Sequence, residues 1–325
     1  MNCRLLPLVW LLCAVAPAAH ALVEHKVRQK FTAPAAGAVL QLDTFSGAIN
    51  LTETDGDAIE ISVTEQCNVK DEKEAAPLLA DLDLTLKQDK DGHVIVRASY
   101  RRKVSFTWQN WPPVLLTFDI KVPRRCDAEL HTTNGDITVG KLTGKLKVIN
   151  ESGKIFIGET DGTVTVRSNA GEIGVTACTG RVDAASVTGN ISIGRALGGA
   201  RLASDGGEIE VQQAGGDFRV SGNGSSVKVR FVHPLTRAAD VATSGGNIIA
   251  IFDQRSAANI EASAAVLEKV TTRGLAPAGV PDGEARSHFS AKLNGGGLVV
   301  ALSASGGRIQ LRGEALVLPE PAPAQ

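Results

Sequence analysis

The densest concentration of chemically capable side chains is YRRKVSFTWQNWPP, residues 100–113. It gathers Tyr100, Arg101, Arg102, Lys103, Phe106, Trp108 and Trp111. Aromatic rings beside cations can stack on sugar rings or dock an acidic surface. That makes this segment the candidate ligand-binding site, with an envelope protein or a glycan as partner. A plainer reading has Phe106 and Trp108 plugging the end of a β stack while the cations stay in water.

Elsewhere the chemistry is thin. GDITVGKL (135–142) nearly spells a phosphate-binding loop, but Leu142 stands where a magnesium-binding hydroxyl is needed and no helix pattern follows. His25, His93, His131, His233 and His288 are scattered, with no metal-ligand spacing between them. No metal and no cofactor are expected. Asp161, Asp183, Asp205 and Asp217 are candidate carboxylates for sugar cleavage, but they fall at different positions of the repeat described below. Cys67, Cys126 and Cys178 lie outside the N-terminal leader. Cys178 reads as a small buried apolar residue. Cys67 and Cys126 could pair in an oxidising compartment, and spacing alone leaves that open.

These residues must be positioned by a repeat. Glycine recurs at every ninth residue from Gly135 to Gly216. Two alternating halves make a unit of eighteen residues: NGDITV, SGKIFI, AGEIGV, TGNISI and GGEIEV, then GKLKV, GTVTV, GRVDA and GDFRV. Within each half, apolar and polar residues alternate, as in a half-buried strand. The glycines suit tight turns. Superposed units give the column Ile137, Ile155, Ile173, Ile191, Ile209, Val227, and facing it Leu146, Val164, Val182, Ala200, Phe218. Asn150, Ser168, Ser186 and Ser204 form a polar turn column expected to hydrogen-bond from coil to coil. Lys154 is expected between the carboxylates of Asp136 and Glu172.

The fold class expected is therefore all-β: a β-solenoid, or β-helix, of about 18 residues per coil. Residues 1–21 read as a signal peptide, with Arg4, an apolar run Leu5–Ala16 and Ala19-His20-Ala21 for cleavage. Residues 22–125 read as an N-terminal β region, or cap, carrying the aromatic-basic insert. Within it, 71–82 has helical character and 84–99 reads as a hairpin turning at Asp91-Gly92. Residues 126–312 form the solenoid. HPLTRAAD (233–240) interrupts the period, 260–270 reads as a strand pair, and 288–311 as closing coils. Residues 313–325 form a disordered Pro-rich tail.

The chain of 325 residues has a formal net charge of −1. Loss of Arg4 with the leader would leave 33 basic against 35 acidic side chains, or −2. Such a balance argues against nucleic acid, which wants a basic stripe. Outside the leader no run of about 20 apolar residues provides a membrane span.

The coils TTNGDITV, SGKIFI, AGEIGV and TGNISI, introduced by FDIKVP (118–123) and followed by NGGGLVVAL and SGGRIQL, resemble the bacterial putative-adhesin family, secreted domains of unknown function. The resemblance implies an exported, adhesin-like binding or scaffold module located in the periplasm, at the cell surface or outside the cell. It supplies no catalytic residues. Two other functions fit the same architecture: a carbohydrate-active enzyme on a β-helix, or an accessory protein that self-associates through its solenoid ends.

Overall fold

The computed structural model describes residues 22–34, 37–101, 112–265, 270–275 and 286–314. Among these residues it is nearly all β, with 25 strands and one helix. In chain order these are β1 (Val23–Thr32), β2 (Ala38–Thr44), β3 (Ala48–Thr54), β4 (Ala58–Cys67), α1 (Glu72–Asp81), β5 (Leu82–Gln88), β6 (Val94–Tyr100) and β7 (Val114–Pro123). Then come β8 (Cys126–Asn134), β9 (Ile137–Val139), β10 (Leu142–Ser152), β11 (Ile155–Ala170), β12 (Ile173–Cys178), β13 (Val182–Ser186), β14 (Ile191–Ala196), β15 (Gly199–Ser204) and β16 (Ile209–Ala214). The remainder are β17 (Asp217–Gly222), β18 (Val227–Phe231), β19 (Ala239–Thr243), β20 (Ile248–Asp253), β21 (Ala258–Ala264), β22 (Val270–Arg273), β23 (His288–Leu293), β24 (Leu298–Ala304) and β25 (Ile309–Glu314).

The strands pair into two long ladders that enclose one hydrophobic core. One ladder runs β1, β4, β7, β3, β9, β11, β12, β14, β16, β18, β20, β25, β22. The other runs β5, β6, β2, β8, β10, β11, β13, β15, β17, β19, β24, β21, β23. The long strand β11 belongs to both, its first half to one ladder and its second half to the other. One strand from each ladder makes a tier.

In the middle of the chain the partner of each residue lies eighteen positions on. Ile137, Ile155, Ile173, Ile191, Ile209 and Val227 stand in parallel register. Each is at most 1% exposed. The facing column Leu146, Val164, Val182, Ala200, Phe218 is also in register and buried. Burying each large aliphatic stabilises the fold by about 1.5–3 kcal/mol. After β18 the step widens to twenty-one, as between Val227 and Ile248, where HPLTRAAD interrupts the period.

Glycine's role is broader than turn conformation. Gly153 does have positive φ, at 121°. Gly207 does not, yet a Cβ there would strike the Gly189 carbonyl in the preceding tier. At these positions successive turns approach too closely for a side chain, whereas at Ser225, next in the column, one is accommodated, its hydroxyl donating to the Ser204 carbonyl.

The polar column Asn150, Ser168, Ser186, Ser204 aligns as expected, but its bonds differ. Asn150 Nδ2 does reach the preceding tier, donating to the Gly135 carbonyl at 3.0 Å. The serines cap their own turns instead. Ser168 Oγ donates to the Ala170 carbonyl at 3.1 Å, and Ser186 Oγ accepts from the Gly189 N–H at 2.8 Å. For these serines the turn offers partners at once, whereas further along the same column Thr243 Oγ1 does reach the preceding tier, donating to the Ser225 carbonyl at 2.7 Å. Lys154 also departs from expectation: among the described residues it forms no ion pair, and its backbone N–H donates to Asp136 Oδ1 at 2.7 Å. A turn N–H needs an acceptor, whereas an exposed ammonium gains little from a nearby carboxylate.

The tiers do not follow chain order near the ends. β2–β3 is inserted between β6–β7 and β8–β9. β24–β25 is inserted between β19–β20 and β21–β22. So β24 and β25, expected to close the stack, lie inside it, and β23 is an outer strand. β21 and β22, expected to pair, stand in different ladders. At the other end β1, β4 and β7 are antiparallel, and β5–β6 is the expected hairpin. Its turn is held by Asp89 Oδ1, which accepts from the N–H groups of Asp91 and His93 at 2.9 and 2.8 Å. The expected helical stretch is α1, capped by Asp71, with Pro77 inside it.

Candidate functional site

Of the expected ligand-binding segment, Arg102, Lys103, Phe106, Trp108 and Trp111 lie outside the described residues, as do the leader 1–21 and residues 315–325 of the tail. Tyr100 and Arg101 are described. Tyr100 turns inward, its ring 4.5 Å from that of Phe45 between centroids. Its hydroxyl accepts from the Val114 N–H at 3.1 Å, tying the end of β6 to the start of β7 across the base of the insert. Burial pushes the Tyr100 phenol up to about 12. Arg101 anchors through its backbone, donating to the Asp81 carbonyl at 2.8 Å. Tyr100 therefore holds the base of the insert closed.

The candidate carboxylates of the repeat are engaged or exposed. Asp161 accepts from Thr179 Oγ1 at 2.7 Å, Asp183 pairs with Arg167 at 3.0 Å, and Asp217 pairs with Arg181 at 3.3 Å. Asp205 is exposed. No three His, Cys, Asp or Glu side chains among the described residues gather as a metal site. Cys67, Cys126 and Cys178 are all free and buried. Cys67 ends β4 in one ladder, and Cys126 opens β8 in the other, three tiers away. Three tiers span about 14 Å, twice the roughly 7 Å that a disulfide allows between Cα atoms. Burial pushes the Cys126 thiol up to about 12.

The structure brings together a site that the sequence does not announce. On the outer face of β1, β4, β7 and β3 lies a groove of about 630 Å³. Strand alternation places two rows of side chains there. Arg28, Ser62, Asp119 and Asn50 form one row, and Lys30, Glu60, Lys121 and Thr52 the other. Lys30 Nζ donates to Glu60 Oε1 at 2.8 Å. This bond holds the Glu60 carboxyl below its ordinary range and raises the Lys30 ammonium. Asn50 Nδ2 donates to Asp119 Oδ1 at 2.9 Å. Both acids of the groove are thus met by donors from within it. Among the described residues, Arg28 and Lys121 form no ion pair.

The alternation of VRQKFTA, AINLT, IEISVTE and FDIKVP already turned these residues outward. The sequence did not reveal that the four segments would be neighbours, because β4 reverses direction and β3 joins β7 out of chain order. A second, smaller cleft on the outer face of the other ladder contains Asp43, whose Oδ1 is 2.8 Å from His131 Nδ1, with Arg97 beside it.

No family model matches the chain, and no curated protein matches it. Several solved structures are similar, among them the following three. One is a "putative adhesin" from Bacteroides fragilis at 13% identity, covering 89% of this chain and 97% of that one with a TM-score of 0.42. Another is a "putative lipid binding protein" from Parabacteroides distasonis at 12% identity, covering 89% and 96% with a TM-score of 0.48. The third is a "putative adhesin" from Parabacteroides merdae at 12% identity, covering 88% and 95% with a TM-score of 0.30. Identities this low and superpositions this loose carry no function across to the present chain.

Proposed function

We propose that the chain is an exported β-solenoid of eighteen-residue coils that works as a non-enzymatic, adhesin-like binding module. In this reading residues 1–21 are its leader, 22–125 its cap, 126–312 its solenoid and 313–325 its tail. The observation that carries the binding role is the groove on β1, β4, β7 and β3. A stacked sheet gives a stiff support, and the groove offers unpaired donors on it, as a recognition surface requires. Partners are an envelope protein or a glycan. No helix among the described residues is long and apolar enough to cross a membrane.

One observation favours a second reading, a sugar-cleaving enzyme. Glu60 and Asp119 are diagonal neighbours on adjacent strands, with Cα atoms about 7–8 Å apart, a spacing that could suit a carboxylate pair. The electrostatics oppose it. A general acid needs its carboxyl raised, and the hydrogen bond from Lys30 lowers that of Glu60. Binding is therefore the better reading.

The test is capture of ligand from an envelope fraction and from a glycan array, comparing the full chain with Ser62→Trp, which fills the groove. Loss of capture with an unchanged denaturation midpoint supports the groove. Equal capture by both proteins refutes it. Release of reducing ends from a polysaccharide, abolished in Glu60→Gln, would establish the enzyme instead.

A further inference from the structure

We infer that the groove on β1, β4, β7 and β3 recognises an acidic saccharide, a chain of sugars bearing spaced carboxylates as in a uronic acid polymer. This rests on the binding-module reading and deepens it. The argument is one of unmet charge. The groove holds three cations and two acids. Lys30 is paired with Glu60, while Asp119 accepts only from the neutral amide of Asn50 and keeps its charge, so the groove carries one net positive charge. Arg28 and Lys121 form no ion pair among the described residues, although Lys121 stands directly across from Glu60. A ligand that brings its own anions complements this excess and the two cations left without ion pairs.

Position narrows the class. Arg28 and Lys121 are two strands apart and offset by two residues, which places their Cα atoms about 12 Å apart. A single phosphate draws donors that converge on one point. Two separated cations suit two separated monovalent charges on an extended polymer. Ser62 offers a hydroxyl between them and Thr52 another beside Lys121, and the Asn50–Asp119 pair offers an amide beside a carboxylate. Such groups donate and accept in the manner a sugar diol does. An acidic peptide fits less well. A peptide added to a sheet uses a free strand edge and side-chain pockets, whereas this groove crosses four strands on their outer face.

The probe is a tetramer of galacturonic acid, titrated calorimetrically into the full chain at about 50 and 200 mM salt. Uncharged glucose oligomer and polyglutamate serve as comparisons. The acidic sugar is expected to bind, to weaken as salt screens the charges, and to lose at least tenfold in affinity in Arg28→Gln/Lys121→Gln. Both sites are exposed, so this variant should keep the parent's denaturation midpoint. Equal binding of uncharged oligomer, or unchanged affinity in the double variant, overturns the proposal. So does polyglutamate binding as tightly as the sugar acid. No heat from the tetramer also overturns it, and the Ser62→Trp capture comparison then shows whether the groove reading survives without this ligand class. If Ser62→Trp leaves capture intact, the groove reading itself has failed.

Discussion

Replacing Gly153 by alanine tests how closely the tiers are packed. Gly153 sits at φ 121°, where an L side chain costs about 1–3 kcal/mol from backbone strain alone. Its new Cβ would also strike the Gly135 carbonyl oxygen, with the carbonyl carbon at 2.6 Å and Asp136 N at 3.2 Å. These are backbone atoms and cannot swing aside, so the two turns must separate. Separation strains the 2.7 Å bond from Lys154 N–H to Asp136 and the 3.0 Å bond from Asn150 to the Gly135 carbonyl. A hydrogen bond to a charged group contributes about 1.5–3 kcal/mol, so the expected total is about 3–6 kcal/mol. Gly224 supplies the control. Its φ is also positive, at 74°, but a Cβ there meets nothing within 4 Å, so Gly224→Ala should cost only about 1–2 kcal/mol. Urea unfolding followed by circular dichroism measures both, with the slope checked for constancy between variants. If Gly153→Ala costs no more than Gly224→Ala, close approach of the turns is not what demands glycine, and the account of the repeat fails.

Three further outcomes are expected. Tyr100 is the chain's single tyrosine, so absorbance titration of the folded protein should show phenol ionisation only near pH 12; Tyr100→Phe should cost about 1 kcal/mol by leaving the Val114 N–H without its acceptor, and ionisation near pH 10 would contradict the inward placement. Cys67, Cys126 and Cys178 should resist a thiol reagent at pH 8 until the chain is unfolded, because burial raises all three thiols and only the thiolate reacts; rapid stoichiometric labelling of the native protein would refute this. Asp253, 2% exposed in its side chain and bonded to Arg255 at 2.8 Å, has its carboxyl held well below the usual range by that bond. Because the folded value is depressed, the stabilisation is complete above the unfolded value of about 4 and is lost as pH falls below it. Asp253→Asn should therefore lower the neutral-pH midpoint and flatten its fall below about pH 4; an unchanged acid profile would argue against the pair.

The columns of the central repeat were legible because period and alternation report the same fact twice. Ile155, Ile173 and Ile191 must face inward if the unit is eighteen residues, and a one-residue slip would expose all three. Tier order at the ends was not legible for the same reason. Every strand of the form Gly-x-Ile-x-Val fits beside every other, so the local pattern of β3 or β25 does not say which neighbours it takes. Ile49 lies beside Phe118 and Ile137, and Ile248 beside Ile309, pairings settled only by the whole fold. The groove was hidden with them, since it exists only once β3, β4 and β7 are adjacent. The aromatic-basic segment stood out by composition, yet its first member, Tyr100, proved to bond to Val114 across the base of the insert.

The inner placement of β24–β25 has a consequence for assembly. The tier β24–β25 is flanked on both sides by strands made before it, β19–β20 and β21–β22. A chain cut before β24 therefore lacks the tier that joins those two blocks. Once seated, β25 is gripped along both margins. A tug at Glu314 must then shear two seams together rather than unzip one, so that strand doubles as the lock.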